Sequence, residues 1–253
     1  MMENQPLVSV IMPSYNAERY IAESIESVLH QTYRNWELII TDDCSSDRTP
    51  EIVHSYCQQD QRISFVVAEQ HSGIAQTRNQ SIARAKGRFI AFLDNDDIWV
   101  PEKLDKQVQF MVENNYAFVY SAYELMNEDG TPKGKTIKTA GVIDYDKYLK
   151  NTIIGSGTIM LDTAKTGSLQ MPDNATSDDM ALWCKILKDG HQAHPMKETL
   201  MKYRVRSNSA SANKLKAAKD VWLVYRKQEK LSFFHALTCF CCYAFNATIK
   251  RIF

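Results

Sequence analysis

GIAQTRNQSIARAKG (Gly73–Gly87), followed at once by RFIAFLDNDDIW (Arg88–Trp99), is the stretch on which the reading of the fold turns. Its first part is built of helix-forming residues and closes on Gly87, a residue suited to ending a helix. Its second part is a short, continuous apolar run that stops on Asp94, Asp96 and Asp97. A fully apolar run directly after a helix reads as a strand buried on both faces. Like charges close together raise one another's pKa. A triplet of acids at a strand end therefore calls for something cationic, or rich in hydroxyls, between them.

The same alternation extends toward the N-terminus. LVSVIM (Leu7–Met12), WELIITD (Trp36–Asp42) and ISFVVA (Ile63–Ala68) read as strands, and AERYIAESIESVLHQ and SSDRTPEIVHSYCQ as the helices between them. The order βαβαβαβ predicts an α/β fold with a mainly parallel sheet and helices on both faces. Ligands of such sheets bind beyond the carboxyl ends of the strands. Pro13, the Asp42–Asp43 pair and the Asp94 cluster all fall at such ends, and a third acidic pair, Asp178–Asp179, stands ahead of the helical pattern MALWCKIL. Asp47 and Asp97 read as caps. Beyond Leu104 the pattern changes. AFVYSAYELM and the Asp129-Gly130 turn predict a hairpin, followed by a short helix near Tyr145–Leu149, the small-residue stretch IIGSGTIML, and a strand around Leu200–Arg204.

The 253 residues are 44% hydrophobic and carry no net charge, so nothing overall points to nucleic acid. The balance hides an asymmetry, because Lys214–Phe253 holds eight Lys or Arg against two acids. Six cysteines lack the second CxxC or CxxH that a zinc site needs and read as free thiols. MMENQPLVSVIMP enters a strand without a signal peptide, and no run reaches ~18 uninterrupted apolar residues. Together these predict a cytoplasmic protein.

VSVIMPSYN, ELIITDDCSSDRT, the stretch quoted first, SDDMALWCKIL and YRVRSNSAS resemble, in order and over about residues 5–212, the successive motifs of the inverting family 2 glycosyltransferases. The likeness is greatest to bacterial enzymes of O-antigen, capsule or teichuronic-type polysaccharide. It implies a GT-A fold, a Rossmann-like nucleotide-diphospho-sugar transferase domain over residues 1–212, with a helical appendix over 213–253. It also implies a UDP-sugar donor, with Pro13, Tyr15 and Asp43 around the base. LDNDD resembles the DXD motif, with Asp94 and Asn95 on the nucleoside side and Asp96 as ligand of Mn²⁺ or Mg²⁺. Arg78 is expected either to contact the nucleotide or to hold the acid clusters. Asp179 is implied as the general base, and a paired carboxylate that keeps its proton to higher pH suits that task. Relatives often have His at the place of Arg206. Arg cannot ligate a metal but can bind a diphosphate with two hydrogen bonds, so Arg204 and Arg206 are expected on the diphosphate side. GSGT (Gly155–Thr158) would face the acceptor, or be a turn.

The family likeness further implies a lipid-linked or oligosaccharide acceptor at the inner face of the cytoplasmic membrane. The basic, aromatic-rich tail, with LSFFHALTCFCCYAF at its centre, is expected to lie on an anionic membrane surface. A helix closing the core or a homodimer contact is the alternative. A dinucleotide oxidoreductase is disfavoured because MPSYNAERY stands where GxGxxG would be needed. A non-catalytic nucleotide-sugar-binding subunit of the same fold is the remaining rival.

Overall fold

The computed structural model describes residues 5–172, 177–206 and 214–252. In chain order the elements are β1 Val8–Ser14, α1 Ile21–Leu29, β2 Trp36–Asp42, α2 Thr49–Gln59, β3 Ile63–Val67, α3 Ile74–Arg84, β4 Phe89–Phe92, β5 Ile98–Trp99 and α4 Lys103–Asn114. The hairpin β6 Phe118–Met126 and β7 Pro132–Ile137 follows, then α5 Tyr145–Lys150, a 3₁₀ turn Ser156–Thr158, β8 Ile159–Asp162, α6 Thr163–Thr166, α7 Asp178–Lys188 and β9 Ala193–Arg204. The chain ends in α8 Lys214–Leu223, a π turn Val224–Gln228 and α9 Phe233–Ile252.

The strands form one sheet in the order β3-β2-β1-β4-β8-β6-β9-β5, with β7 on β6. The first four are parallel, as the alternation predicts. Residues of β1 alternate between the two faces. Val8, Val10 and Met12 meet α1 and α4 through Ile21, Ile25, Leu104 and Val108, whereas Ile11 belongs to the opposite core with Phe92, Phe118 and Trp183. Trp183 of α7 is fully buried, its ring centroid 5.6 Å from that of Phe92. Gly87 lets β4 approach β1. A Cβ there would lie 2.6 Å from the Ser9 nitrogen and 2.7 Å from the Leu7 oxygen.

Direction along the sheet decides where the site lies. β8 runs antiparallel to β4, so the turn that opens it sits at the carboxyl end of β4, beside Asp94–Asp97. β6 is antiparallel to β8, and β9 is parallel to β6. The ends of β6 and β9 therefore reach the same edge, and Arg204 and Arg206 arrive there with them.

The strand expected at Leu200–Arg204 is the last part of a longer strand that begins at Ala193. Its outgoing half is interrupted by irregular register against β6 at Ser121–Tyr123. The appendix is continuous with the core on one side. Val221, Val224, Tyr225, Ala236 and Cys239 are buried in the cluster that holds Trp183, and the Tyr225 hydroxyl donates to the Leu149 carbonyl. Removing everything after Asn213 would uncover that cluster. The boundary expected at 212/213 and the serines of SNSAS lie outside the described residues. All six cysteines are free. No described helix is long and apolar enough to cross a membrane.

Candidate active site

The end of β2 begins the site. Asp42 is fully buried and accepts hydrogen bonds from the Ser14 hydroxyl (2.8 Å) and from the amide and hydroxyl of Ser45 (2.7 and 2.6 Å). It thereby fixes the loop after β2. Asp47 accepts from the Thr49 amide at 2.9 Å just ahead of α2, whose N-cap position is held by Arg48 rather than by the Asp47 expected there. Asp43 turns the other way and accepts from the amides of Ser72 and Gly73 at 2.7 and 2.8 Å. Gly73 has φ +88°, a conformation that suits glycine and aims its N–H at Asp43.

Tyr15 is half exposed and packs on a neighbour of this carboxylate. Its ring centroid is 4.8 Å from that of His71, whose Nδ1 lies 3.0 Å from Asp43 Oδ2. His71 is a site residue that the sequence reading missed. Only its place, in the loop from β3 to α3, could have flagged it. Pro13 is buried in β1, and its carbonyl accepts from the Asn95 side-chain amide at 3.2 Å, which ties the DXD-like turn to the first strand.

Arg78, buried on α3, donates to Asp94 at 2.7 Å. Desolvation works against its charge, but Asp94, Asp179 and Asp178 more than offset it, and the guanidinium pKa is raised. Of the two roles expected for Arg78, the geometry is that of holding the acid clusters. Asp96 is pushed up to about 6, by burial first and by Asp94 second, and pairs with Arg206 at 2.7 Å. Asp178 is likewise pushed to about 6 by burial, which outweighs the nearby Arg78.

Asp97 departs from its expected place as a cap of the segment toward Pro101. It turns inward and is fully buried, with Oδ1 accepting from the Arg204 amide at 2.9 Å. Burial and then Asp96 hold its carboxyl well above the usual carboxylate range. Arg204 also points inward. Its guanidinium donates to the Asp96 carbonyl (2.8 Å), the Glu128 carbonyl (2.9 Å) and Glu23 (2.7 Å), and lies over the Tyr20 ring. This geometry braces the acidic turn from behind, whereas Arg206 is the arginine that faces a carboxylate of the site.

On the opposite flank, Asp179 accepts the Ser156 hydroxyl at 2.9 Å. The turn that carries Ser156 is fixed from below, where Trp99 Nε1 donates to the Gly157 carbonyl (2.9 Å) and Gln107 to the Thr158 carbonyl (2.8 Å). Ser156 was legible only as part of GSGT. A Cβ on Gly157 would lie 2.6 Å from the Met201 sulfur, so the turn packs tightly against β9.

Among the described residues no three His, Cys, Asp or Glu side chains gather into a cage for an ion. The donor that fits a hard divalent cation is Asp96, whose partly desolvated oxygens lie next to Asp94. Mg²⁺ and Mn²⁺ are commonly held by one or two carboxylates and completed by substrate oxygens.

The charge balance yields a prediction. Arg78→Leu leaves Asp94, Asp178 and Asp179 without their buried counter-charge, and breaking a buried pair costs about 3–5 kcal/mol. Below about pH 6 Asp96 and Asp178 take up protons, which relieves the repulsion. Denaturant unfolding should show a larger loss at pH 8 than at pH 5, and equal losses would refute this role for Arg78.

Residues 9–170 match the family described as Glycosyl transferase family 2. The chain is 50% identical over 248 residues, covering 98% of each protein, to TuaG of Bacillus subtilis (strain 168), named as a teichuronic acid biosynthesis glycosyltransferase. It is 44% identical over 217 residues, 85% of this chain and 84% of the other, to WfgD of Escherichia coli. That protein is named as a UDP-Glc:alpha-D-GlcNAc-diphosphoundecaprenol beta-1,3-glucosyltransferase. The fold is similar to that of S. aureus TarS 1-349 in complex with UDP-GlcNAc, at 20% identity and a TM-score of 0.70, over 92% of this chain and 70% of that one. The expected GT-A architecture is thus found, and the reading as a non-catalytic subunit is set aside. The chain belongs to glycosyl transferase family 2 and is a glycosyltransferase.

Proposed function

We propose that this protein transfers a hexose or N-acetylhexosamine from a UDP-sugar, with inversion, to a hydroxyl of a lipid-linked glycan during assembly of a bacterial surface polysaccharide. The observation that carries the reading is the position of Arg78. This buried cation pairs with Asp94 at 2.7 Å and also feels the charges of Asp179 and Asp178, so the donor-side acids after β4 and a candidate base lie within reach of one counter-charge. The name of the E. coli relative supports the donor and acceptor classes.

In this reading uracil lies on Tyr15, and its N–H donates to Asp43. A carboxylate has about four acceptor sites. The amides of Ser72 and Gly73, the Ser72 hydroxyl and His71 already occupy them, so the base displaces His71 or the Ser72 hydroxyl. Asp94 and Asn95 border the ribose. Mn²⁺ or Mg²⁺ would be held by Asp96, and when bound it supplies Lewis-acid stabilisation of the leaving diphosphate. Arg206 exchanges its ion pair with Asp96 for a charge-assisted hydrogen bond to phosphate. Ser156 orients Asp179 as it takes the proton from the acceptor hydroxyl. The acceptor oxygen bonds to the anomeric carbon while the bond from that carbon to the diphosphate oxygen breaks on the opposite face. Arg204 and Asp97 support the turn that presents Asp96.

The tail supplies the membrane contact. On α9, Phe234, Leu237, Cys241 and Phe245 recur at helical spacing and are exposed, while Ala236 and Cys239 face the core. An apolar outer face on a segment of net charge +6 suits an anionic leaflet, where each Lys or Arg is worth about 1 kcal/mol. The enzyme would then act as a peripheral protein at the inner face of the cytoplasmic membrane.

Calorimetry with UDP, GDP, CDP and dTDP, each with Mn²⁺, tests the donor site. UDP should bind best, and more weakly at pH 5 than at pH 7.5, because Asp96 must lose its proton to take the ion. Asp179→Asn should keep UDP affinity and lose ~10²–10⁴-fold in transfer. Equal binding of the four nucleotides, or a variant with more than half the wild-type rate, would sink the reading.

For the tail, Phe234→Ser with Phe245→Ser alters only exposed positions. The double variant should stay folded and lose sedimentation with anionic vesicles. Retained sedimentation, or conversion of a dimeric wild type to a monomer, would assign the face to another partner.

A further inference from the structure

The hairpin and the last helix enclose a cavity of about 440 Å³ that the donor site does not use. Lys133 and Lys135 line it from β7, Tyr123 from β6, Tyr203 from β9 and Tyr243 from α9, with Asn151 and Thr152 closing one end. Alternation explains the wall, because residues two apart on a strand share a face. Lys133, Lys135 and Ile137 therefore stand in one row, and Tyr123 and Leu125 in the next. Tyr203 pairs with Leu125 in the register of β6 and β9, and the rings of Tyr123 and Tyr203 lie 5.9 Å apart.

Resting on the function proposed above, the geometry points to this cavity as the subsite for the acceptor's glycosyl diphosphate, with the sugar against the tyrosines and the diphosphate at Lys133 and Lys135. Three relations support that occupant. The first is proximity to the base, since Asn151 and Thr152 lead directly into the turn whose Ser156 hydroxyl binds Asp179. The second is chemistry. Aromatic faces with a few polar groups suit a sugar ring, and ammonium groups suit a phosphate. Two lysines here contrast with the carboxylates that dominate the donor side.

The third relation is the geometry of α9. Tyr243, Asn246 and Ala247 on its inner face line the cavity, and the Asn246 amide donates to the Lys150 carbonyl at 2.9 Å. Its outer face carries the exposed Phe234 and Phe245. A helix with its side chains is about 10–12 Å across. If the outer face rests on a bilayer, the cavity lies one helix thickness above it. A diphosphate headgroup can span that distance while its lipid chain stays in the membrane.

The test uses the full chain and two synthetic, water-soluble probes, α-N-acetylglucosaminyl diphosphate on a short alkyl chain and the phosphate-free alkyl glycoside. Binding is read by saturation-transfer NMR and calorimetry with UDP and Mn²⁺ present, so the result does not depend on turnover. The wild type should bind the diphosphate probe at least about tenfold more tightly than the phosphate-free one. Lys133→Ala with Lys135→Ala should weaken the diphosphate probe by about tenfold or more, and Tyr243→Ala should weaken both probes. UDP affinity should stay unchanged in all variants.

Unchanged probe binding in the lysine variant, no preference for the diphosphate, or loss of UDP binding in parallel would each overturn the assignment. A wild type that binds UDP but neither probe would overturn this inference and leave the donor reading standing. Loss of UDP preference in the wild type would instead strike the donor reading.

Discussion

The Arg78 guanidinium, its side chain 5% exposed and 2.7 Å from Asp94, is the charge that lets acids from both halves of the sheet share one site. Burial resists ionisation at Asp96 and Asp178, whose carboxyls are each pushed up to about 6. A guanidinium remains charged where an ammonium can lose its proton, so Arg suits this place better than Lys. Lys103 illustrates the contrast within the same protein. It is fully buried without a carboxylate partner, and desolvation drives its pKa well below the ordinary lysine range. Asp97 shows the other outcome, since burial and the neighbouring Asp96 and Asp94 hold its carboxyl well above the usual carboxylate range.

The sheet makes that sharing possible. An antiparallel strand between two strands of one direction starts at the edge where those strands end, so the turn that opens it lies at that edge. β8 does this between β4 and β6, and it delivers Ser156 to Asp179 and Gly157 to the indole of Trp99. The donor side is built on strand ends and the base side on a turn and a helix start. The first is fixed by ladders of backbone hydrogen bonds. The second depends on side-chain contacts from Trp99 and Gln107.

How much of this could be read from the residues follows from the range of each interaction. β1 to β4 were legible because each is a short apolar run between helical segments; β1, β2 and β4 are buried on both faces, whereas β3 is the partly exposed strand at the end of the sheet. The carboxylates at their ends were legible because they break those runs. β5, only two residues long, carries no period of its own. α4 was missed because it follows Pro101 without a capping signal, and its buried positions include Lys103 and Gln107. The pairing of β8 with β4 is a long-range choice that nothing local encodes. His71 and Ser156 gain their meaning only from partners many residues away, Asp43 and Asp179. Arg204 and Arg206 sit two apart, a spacing that puts both on one side of an extended chain, and both guanidiniums lie over the Tyr20 ring. What separates them is depth, since Arg204 ends β9 and is buried, whereas Arg206 lies beyond the strand and reaches the Asp96 carboxylate.

The central claim is a single displacement, with Asp179 activating the acceptor on the face opposite the departing diphosphate. Stereochemistry at the new bond tests that claim without reference to any variant. The product formed from an α-linked UDP-sugar should be isolated and its anomeric proton coupling read by NMR. The account predicts a β linkage as the sole initial product. An α linkage would mean retention, and would contradict the assignment of Asp179 as the base of an inverting transfer.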